Sequence, residues 1–220
     1  MASFYLSLNG TSSDYIQSTN SDIFSNANLA TGSIEFWMKV ADYPAGNKHI
    51  FSSEGYVTVY IDSSGQINGF SDGSGTATVT SSVISKDVWH LVEFNWTTTS
   101  DSDIFIDGVN TDGSAPGGSP NLDSVSRKTS YGSQYDGGGL WFTGDLGPIR
   151  VSSIRRNTST YTPSGFNSGF SSDGNALMIW NLNEGTGTAL ADATGNDKTG
   201  VITGSTWHLF IDNSAFFAFL

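Results

Sequence analysis

Gln134 and Asp136 stand two residues apart in Gly132-Ser-Gln-Tyr-Asp-Gly-Gly-Gly139, where oxygen-bearing side chains ride on a segment free to bend. Such a loop suits a hard cation such as calcium, which takes six to eight oxygens at about 2.3–2.6 Å. The same residue types also cap tight turns through their own backbone. Asp192, Asn196 and Asp197, near Glu184 in sequence, form a second oxygen cluster open to the same two readings. Asp62, Asp72, Asp107 and Asp112 lie at or near glycines and read as turn residues.

Catalytic chemistry has fewer handles. The chain has no cysteine and no Gly-x-Ser-x-Gly elbow, so a nucleophile has no candidate. His49, His90 and His208 are scattered without metal-ligand spacing. His90, beside Trp89 on an expected strand, reads as structural. Trp89, Trp96, Trp141, Trp180 and Trp207 fall mostly in apolar-alternating runs, which makes core packing their default. Trp37 shares a face with Glu35 and Lys39, so it is the tryptophan expected at the surface and able to stack on a sugar.

The elements that position these residues are strands. Residues 33–40 alternate Ile34, Phe36, Met38 and Val40 against Glu35, Trp37 and Lys39, a period of two. Further strands are expected at 3–8, 14–16, 49–51, 56–61, 66–70, 77–79, 88–96, 104–106, 140–151, 176–182, 201–203 and 207–211, with turn chemistry between them. Stretches 110–124 and 152–172 are polar and irregular, and the second holds the local basic run Arg155-Arg156. No helix is expected. Twenty-six glycines and a charged fraction of only 14% suit an all-β chain with many turns. The expectation is one domain over 1–220, a two-sheet antiparallel β-sandwich.

A net charge of −12 with nine Lys and Arg repels nucleic-acid phosphate. No apolar run approaches the length of a membrane span, and 1–10 does not read as a signal peptide. The apolar segment 214–220, with Phe216, Phe217, Phe219 and Leu220, is either a last core strand or a contact with a partner.

Several segments resemble the concanavalin A-like jelly rolls, and within them laminin-G-like and pentraxin-like domains. Gly32-Ser-Ile-Glu-Phe-Trp-Met38 resembles their Phe-Thr-Ile-Glu-Ala-Trp-Val strand. Asp87-Val-Trp-His-Leu-Val92 with Ile104-Phe-Ile-Asp-Gly108 resembles the paired Trp-His-His-Val and Leu-Tyr-Val-Asp-Gly strands. Trp180-Asn-Leu-Asn-Glu-Gly-Thr-Gly187 is similar to a signature that usually precedes the first strand, so a permutation is expected here. Residues 144–163, with Arg150, Arg155-Arg156 and Tyr161-Thr-Pro163, resemble the tail of laminin-G-like modules in bacteriophage proteins.

The pentraxin resemblance implies a calcium site at Gln134 and Asp136, with Glu54 following a matching Phe-Ser strand. Gln134 supplies a neutral oxygen where the family has an anion, which lowers the expected affinity. Glycosidases of this sandwich use Glu-x-Asp-x-x-Glu, and Glu35, Glu54, Glu93 and Glu184 do not form it. The leading expectation is therefore a non-enzymatic virion protein of a phage, a capsid decoration or tail-associated component assembled in the host cytoplasm. It would contact other virion proteins and its own copies, with Phe216, Phe217, Phe219 and Leu220 in the contact. The alternative is a calcium-dependent module for host-surface glycans, with Tyr135 and Trp37 stacking on sugar.

Overall fold

The computed structural model describes residues 3–19, 23–24, 29–53, 56–71, 78–97, 102–112 and 128–211. Sixteen strands follow in chain order: β1 Phe4–Asn9, β2 Tyr15–Ser18, β3 Thr31–Lys39, β4 Lys48–Ser53, β5 Val57–Ile61, β6 Gln66–Phe70, β7 Val79–Val83 and β8 His90–Thr97. Then come β9 Asp103–Ile106, β10 Val109–Asn110, β11 Ser130–Tyr131, β12 Thr143–Ser152, β13 Ala176–Trp180, β14 Ala189–Leu190, β15 Gly200–Thr203 and β16 Thr206–Leu209. Two short 3-10 turns, Tyr135–Gly137 and Phe166–Ser168, are the helical pieces among the described residues.

The strands form two eight-stranded sheets, and every pairing is antiparallel. The first sheet runs β10-β9-β8-β3-β12-β1-β16, with β13 alongside β12; the second runs β14-β15-β2-β11-β4-β5-β6-β7. The expected β-sandwich is the observed fold. Its first and last strands, β1 and β16, pair in one sheet, which is the arrangement a permuted jelly roll requires.

Alternation decides which side chains enter the core. Ile34, Phe36 and Met38 of β3 and Val92, Phe94 and Trp96 of β8 point inward and are buried with Leu6, Leu146, Ile149 and Val151. Tyr131 reaches across from the second sheet, and its hydroxyl donates to the Gly147 carbonyl at 3.1 Å. Complete burial pushes that phenol well above its ordinary range. The pairing of β12 with β3 slips between Leu146 and Ile149, where Gly147-Pro148 interrupts the ladder. Proline lacks the N–H a regular ladder needs, so a bulge is the expected response.

Several expected strand ends move, three of them for visible reasons or at the limit of the described residues. Strand β8 starts at His90 rather than 88, because Asp87 takes a positive φ of 59° in the turn before it. Strand β12 starts at Thr143 rather than 140, since Leu140 has a φ of 50° and Trp141 turns its Nε1–H to the Gly137 carbonyl at 3.1 Å. The strand expected at 77–79 is observed as Val79–Val83; Ala77 lies outside the described residues.

Candidate functional site

The loop carrying Gln134, Tyr135 and Asp136 folds back on the strand that leads into it. Asp136 has a φ of 55°, its Oδ1 accepts the Lys128 N–H at 2.9 Å, and its own N–H donates to the Lys128 carbonyl at 3.2 Å. The Gln134 N–H donates to the Gly139 carbonyl at 2.9 Å, closing the loop's mouth. Strand β11 pairs with β4 so that Ser130 faces Ser52, and Thr129 Oγ1 donates to Ser53 Oγ at 3.1 Å. The 135–137 turn packs against β2, β11 and β4, inner strands of the second sheet, and Glu54 lies outside the described residues. Tyr135 is half-buried there. Among the described residues, no three His, Cys, Asp or Glu side chains cluster as a metal site.

Asp192 behaves as a loop staple. Its Oδ1 accepts from the N–H groups of Ile179 (3.0 Å) and Thr194 (3.1 Å), and its Oδ2 from Thr194 Oγ1 (2.7 Å) and the Lys198 N–H (3.0 Å). Asn196 turns its Nδ2 to the carbonyls of Ala176 and Leu177 at 3.1 and 3.2 Å. Asp197 takes a φ of 57°.

A larger concavity lies on the outer face of the first sheet. The stretch 153–175 leaves β12, crosses that face as a strap, and returns to β13. Its sequence lacks a period, but Tyr161, Phe166 and Phe170 recur in it. That recurrence is the available sign of a segment lying on apolar surface. Phe166 packs on Trp37 (ring centroids 5.7 Å), Trp89 (4.7 Å) and Phe210 (4.0 Å, stacked). Gly147 sits beneath it, where a Cβ would fall 2.5 Å from the Phe166 ring. Asn157 pins the strap further in, giving its backbone N–H and its Nδ2 to the Glu93 carboxylate at 3.0 and 2.7 Å. Arg155 pairs with Asp103, and Arg156 with Asp173.

Between strap and sheet opens a groove of about 370 Å³, lined by Glu35, Trp37, Arg150, Tyr161, Ser168 and Phe170 among others. The pairing of β8, β3 and β12 sets Glu93 opposite Glu35 and Glu35 opposite Arg150. Like charges directly opposite repel, and two devices offset this. Arg150 grips Glu35 with Nε on Oε2 (2.6 Å) and Nη2 on Oε1 (2.8 Å), while its guanidinium lies 4.9 Å over the Phe170 ring. Burial first, and then the Glu35 charge, raises the Glu93 carboxyl above its ordinary range, against the hydrogen bonds from Asn157. The Tyr161 hydroxyl is held far above the phenol range by burial and then by the Glu93 carboxylate. Trp37, expected at the surface, lines this groove half-buried. Arg150, Asn157 and Phe170 were not singled out from sequence as site residues, because their roles depend on pairing across strands.

A second chain of hydrogen bonds, Ser85–His90–Asp107, lies outside the groove. His90 Nδ1 lies 2.6 Å from Asp107 Oδ2, and Nε2 lies 2.9 Å from Ser85 Oγ. The Ser85 carbonyl also faces Nε2 at 3.2 Å, and Asp107 Oδ1 accepts the Leu91 N–H at 2.9 Å. Ser85 is exposed, and these bonds tie the 85–90 turn to the β9–β10 hairpin.

Residues 9–160 match the laminin-G-like model of the concanavalin A-like lectin/glucanases superfamily, and the chain belongs to that superfamily. The match spans the first sheet's central strands, the 134–136 loop and the strap residues Arg155, Arg156 and Asn157, and ends before Tyr161, Phe166 and Phe170. A search of curated protein sequences finds no match. Among solved structures, a candidate carbohydrate-binding protein from Bacteroides ovatus aligns with a TM-score of 0.69 at 16% identity, over 96% of this chain and 61% of its own. The chain thus spans under two thirds of that protein's length. The heptameric SAP-like pentraxin of Limulus polyphemus aligns at 0.55 and 14% identity, over 92% and 96%. Mouse laminin α1 domains LG4-5 align at 0.52 and 15% identity, over 70% and 43%. At these identities the likeness is one of fold.

Proposed function

We propose that the protein is a non-enzymatic saccharide-binding module whose ligand lies in the groove between the strap and the first sheet. The groove carries this reading. Its volume, about 370 Å³, falls within the usual range of small-ligand sites. Aromatic side chains Trp37 and Phe170 offer faces to sugar C–H groups, and serine hydroxyls and backbone groups on the strap offer hydrogen bonds to sugar hydroxyls. The fold shared with a candidate carbohydrate-binding protein supports the same reading. Glycan-array binding followed by calorimetry, on wild type and Phe170→Ala, tests it. Saccharide binding that weakens at least tenfold in the variant is expected; equal binding by both sinks the groove as the site.

A calcium ion at Gln134, Asp136 and Glu54, with Tyr135 beside it, remains part of the proposal. It is favoured by the packing of the 135–137 turn against β4 and β11. A virion setting, as a capsid decoration or tail-associated protein in contact with virion proteins and its own copies, is a second reading. It is favoured by the edge strand β16 and the residues after it, where Leu209 and Ile211 are 51% and 68% exposed just before the apolar 214–220. Phe216, Phe217, Phe219 and Leu220 themselves lie outside the described residues. Sedimentation of wild type against a chain truncated after residue 213 tests that reading. Self-association lost from a folded truncation supports it, and unchanged sedimentation overturns it.

A further inference from the structure

If the groove is the sugar site, its charge pattern says which sugars it takes. Among the described residues lining it, Arg150 supplies the positive charge, and that guanidinium is already gripped at two nitrogens by Glu35. A third nitrogen, Nη1, points to the Ser171 carbonyl at 3.4 Å. One guanidinium face is occupied by the Phe170 ring. Glu35 is itself 3% exposed, so an incoming anion cannot displace it into water without unpairing a buried carboxylate. Behind it stands Glu93, fully buried, with both oxygens held by Asn157. The row Glu93, Glu35, Arg150 thus sets two acidic groups against one base. A uronic or sialic acid entering the groove would meet no unpaired cation and would lose part of its hydration. Two N–H groups of Arg150 remain free to donate to neutral oxygens, since five are present and three are engaged.

We infer that the groove selects neutral saccharides and excludes those bearing a carboxylate, with the Glu35–Arg150 pair as the excluding element. This rests on the groove being the saccharide site.

The test uses the full chain at pH 7 and calorimetric titration with glucose, galactose, N-acetylglucosamine, glucuronate and N-acetylneuraminate, repeated with Glu35→Gln and Ser168→Lys. Wild type is expected to bind at least one neutral sugar ten or more times tighter than either acid. Glu35→Gln releases the guanidinium and should narrow or reverse that ratio. Because Glu35 is buried and paired, this variant risks poor folding. Ser168→Lys instead adds an unpaired ammonium at an exposed position of the groove rim, and should shift the ratio the same way with the fold intact. Acid sugars bound as tightly as neutral ones by wild type, or a Ser168→Lys ratio unchanged from wild type, overturns the charge selection while leaving the groove a sugar site. No saccharide bound by any of the three proteins overturns the saccharide reading, and this inference with it.

Discussion

The two faces of the sandwich use the same kinds of side chain in opposite ways. At the second sheet Asp136 closes its own loop on Lys128, and Asp192, in the loop before β15, gathers two donors from Thr194, one from Lys198 and one from Ile179 on β13 of the first sheet. On the first sheet, carboxylates hold a separate strap against the strands, and the space left beneath the strap is a groove. An acidic residue that satisfies its own loop leaves little for a ligand. One that anchors a remote segment can build a cavity whose walls belong to other residues. Residue type alone therefore does not distinguish a turn from a site; the sequence distance of the partner does.

Removing the strap's apolar anchor should break the contrast most severely. Phe166 is 4% exposed among Trp37, Trp89 and Phe210. Phe166→Ala is expected to cost about 3–5 kcal/mol in urea unfolding, and saccharide binding should disappear with the groove wall. Retained binding at full affinity would show that the strap does not shape the site. Next comes Asp192, whose donors Ile179, Thr194 and Lys198 do not line the groove. Asp192→Ala orphans four donors and should cost about 2–4 kcal/mol, with saccharide affinity unchanged wherever the protein is folded. A loss of affinity in folded Asp192→Ala would mean that the two regions are coupled.

Acid separates one residue of each sheet, because His49 and Glu93 respond to it with opposite signs. On β4, burial lowers His49 to about 4 from an ordinary value of 6.5, so the native state keeps it neutral. The unfolded chain binds the extra proton between those values. The His49 contribution is therefore complete above about pH 6.5 and is lost as pH falls towards 4, by at most about 3 kcal/mol. Glu93 has a raised value, so the native state holds the extra proton and its ionisation lowers stability as pH rises above the ordinary carboxylate range. Urea midpoints between pH 4 and 7 should lose most of their acid-side fall in His49→Gln. A His49→Gln profile that overlays wild type would remove His49 as its source.

The architecture was legible in sequence because inward alternation leaves a local trace. Ile34, Phe36 and Met38, or Val92, Phe94 and Trp96, are two residues apart wherever the strand lies in space. Strand ends were less legible where single residues at positive φ, Asp87 and Leu140, displaced them. The groove was not legible, since the row Glu93–Glu35–Arg150 joins three strands separated by more than fifty residues each. Trp37 was marked for exposure because of its face, but the strap that turns that face into a groove wall has no periodicity to announce it. The Gln134–Asp136 loop shows the converse: its local composition suggested an ion, and the same composition also builds the observed turn.

The smallest expected effect separates those two roles. Asp136 sits at a φ of 55°, a conformation that asparagine also tolerates, and it uses one carboxylate oxygen on the Lys128 N–H. Asp136→Asn keeps that acceptor and the backbone preference but removes the negative charge. Stability should therefore change by less than about 0.5 kcal/mol, whereas Asp136→Ala, which loses the hydrogen bond and the tolerance of positive φ, should cost about 1–2 kcal/mol. If calcium is held there, the asparagine variant should bind it at least tenfold more weakly in calorimetry, because the ion loses its anionic partner while the turn stays intact. Equal calcium heats from wild type and Asp136→Asn would place any bound ion elsewhere. Loss of stability in Asp136→Asn without calcium present would show that the charge serves the turn itself, and the distinction drawn between staple and site would then need a different residue to carry it.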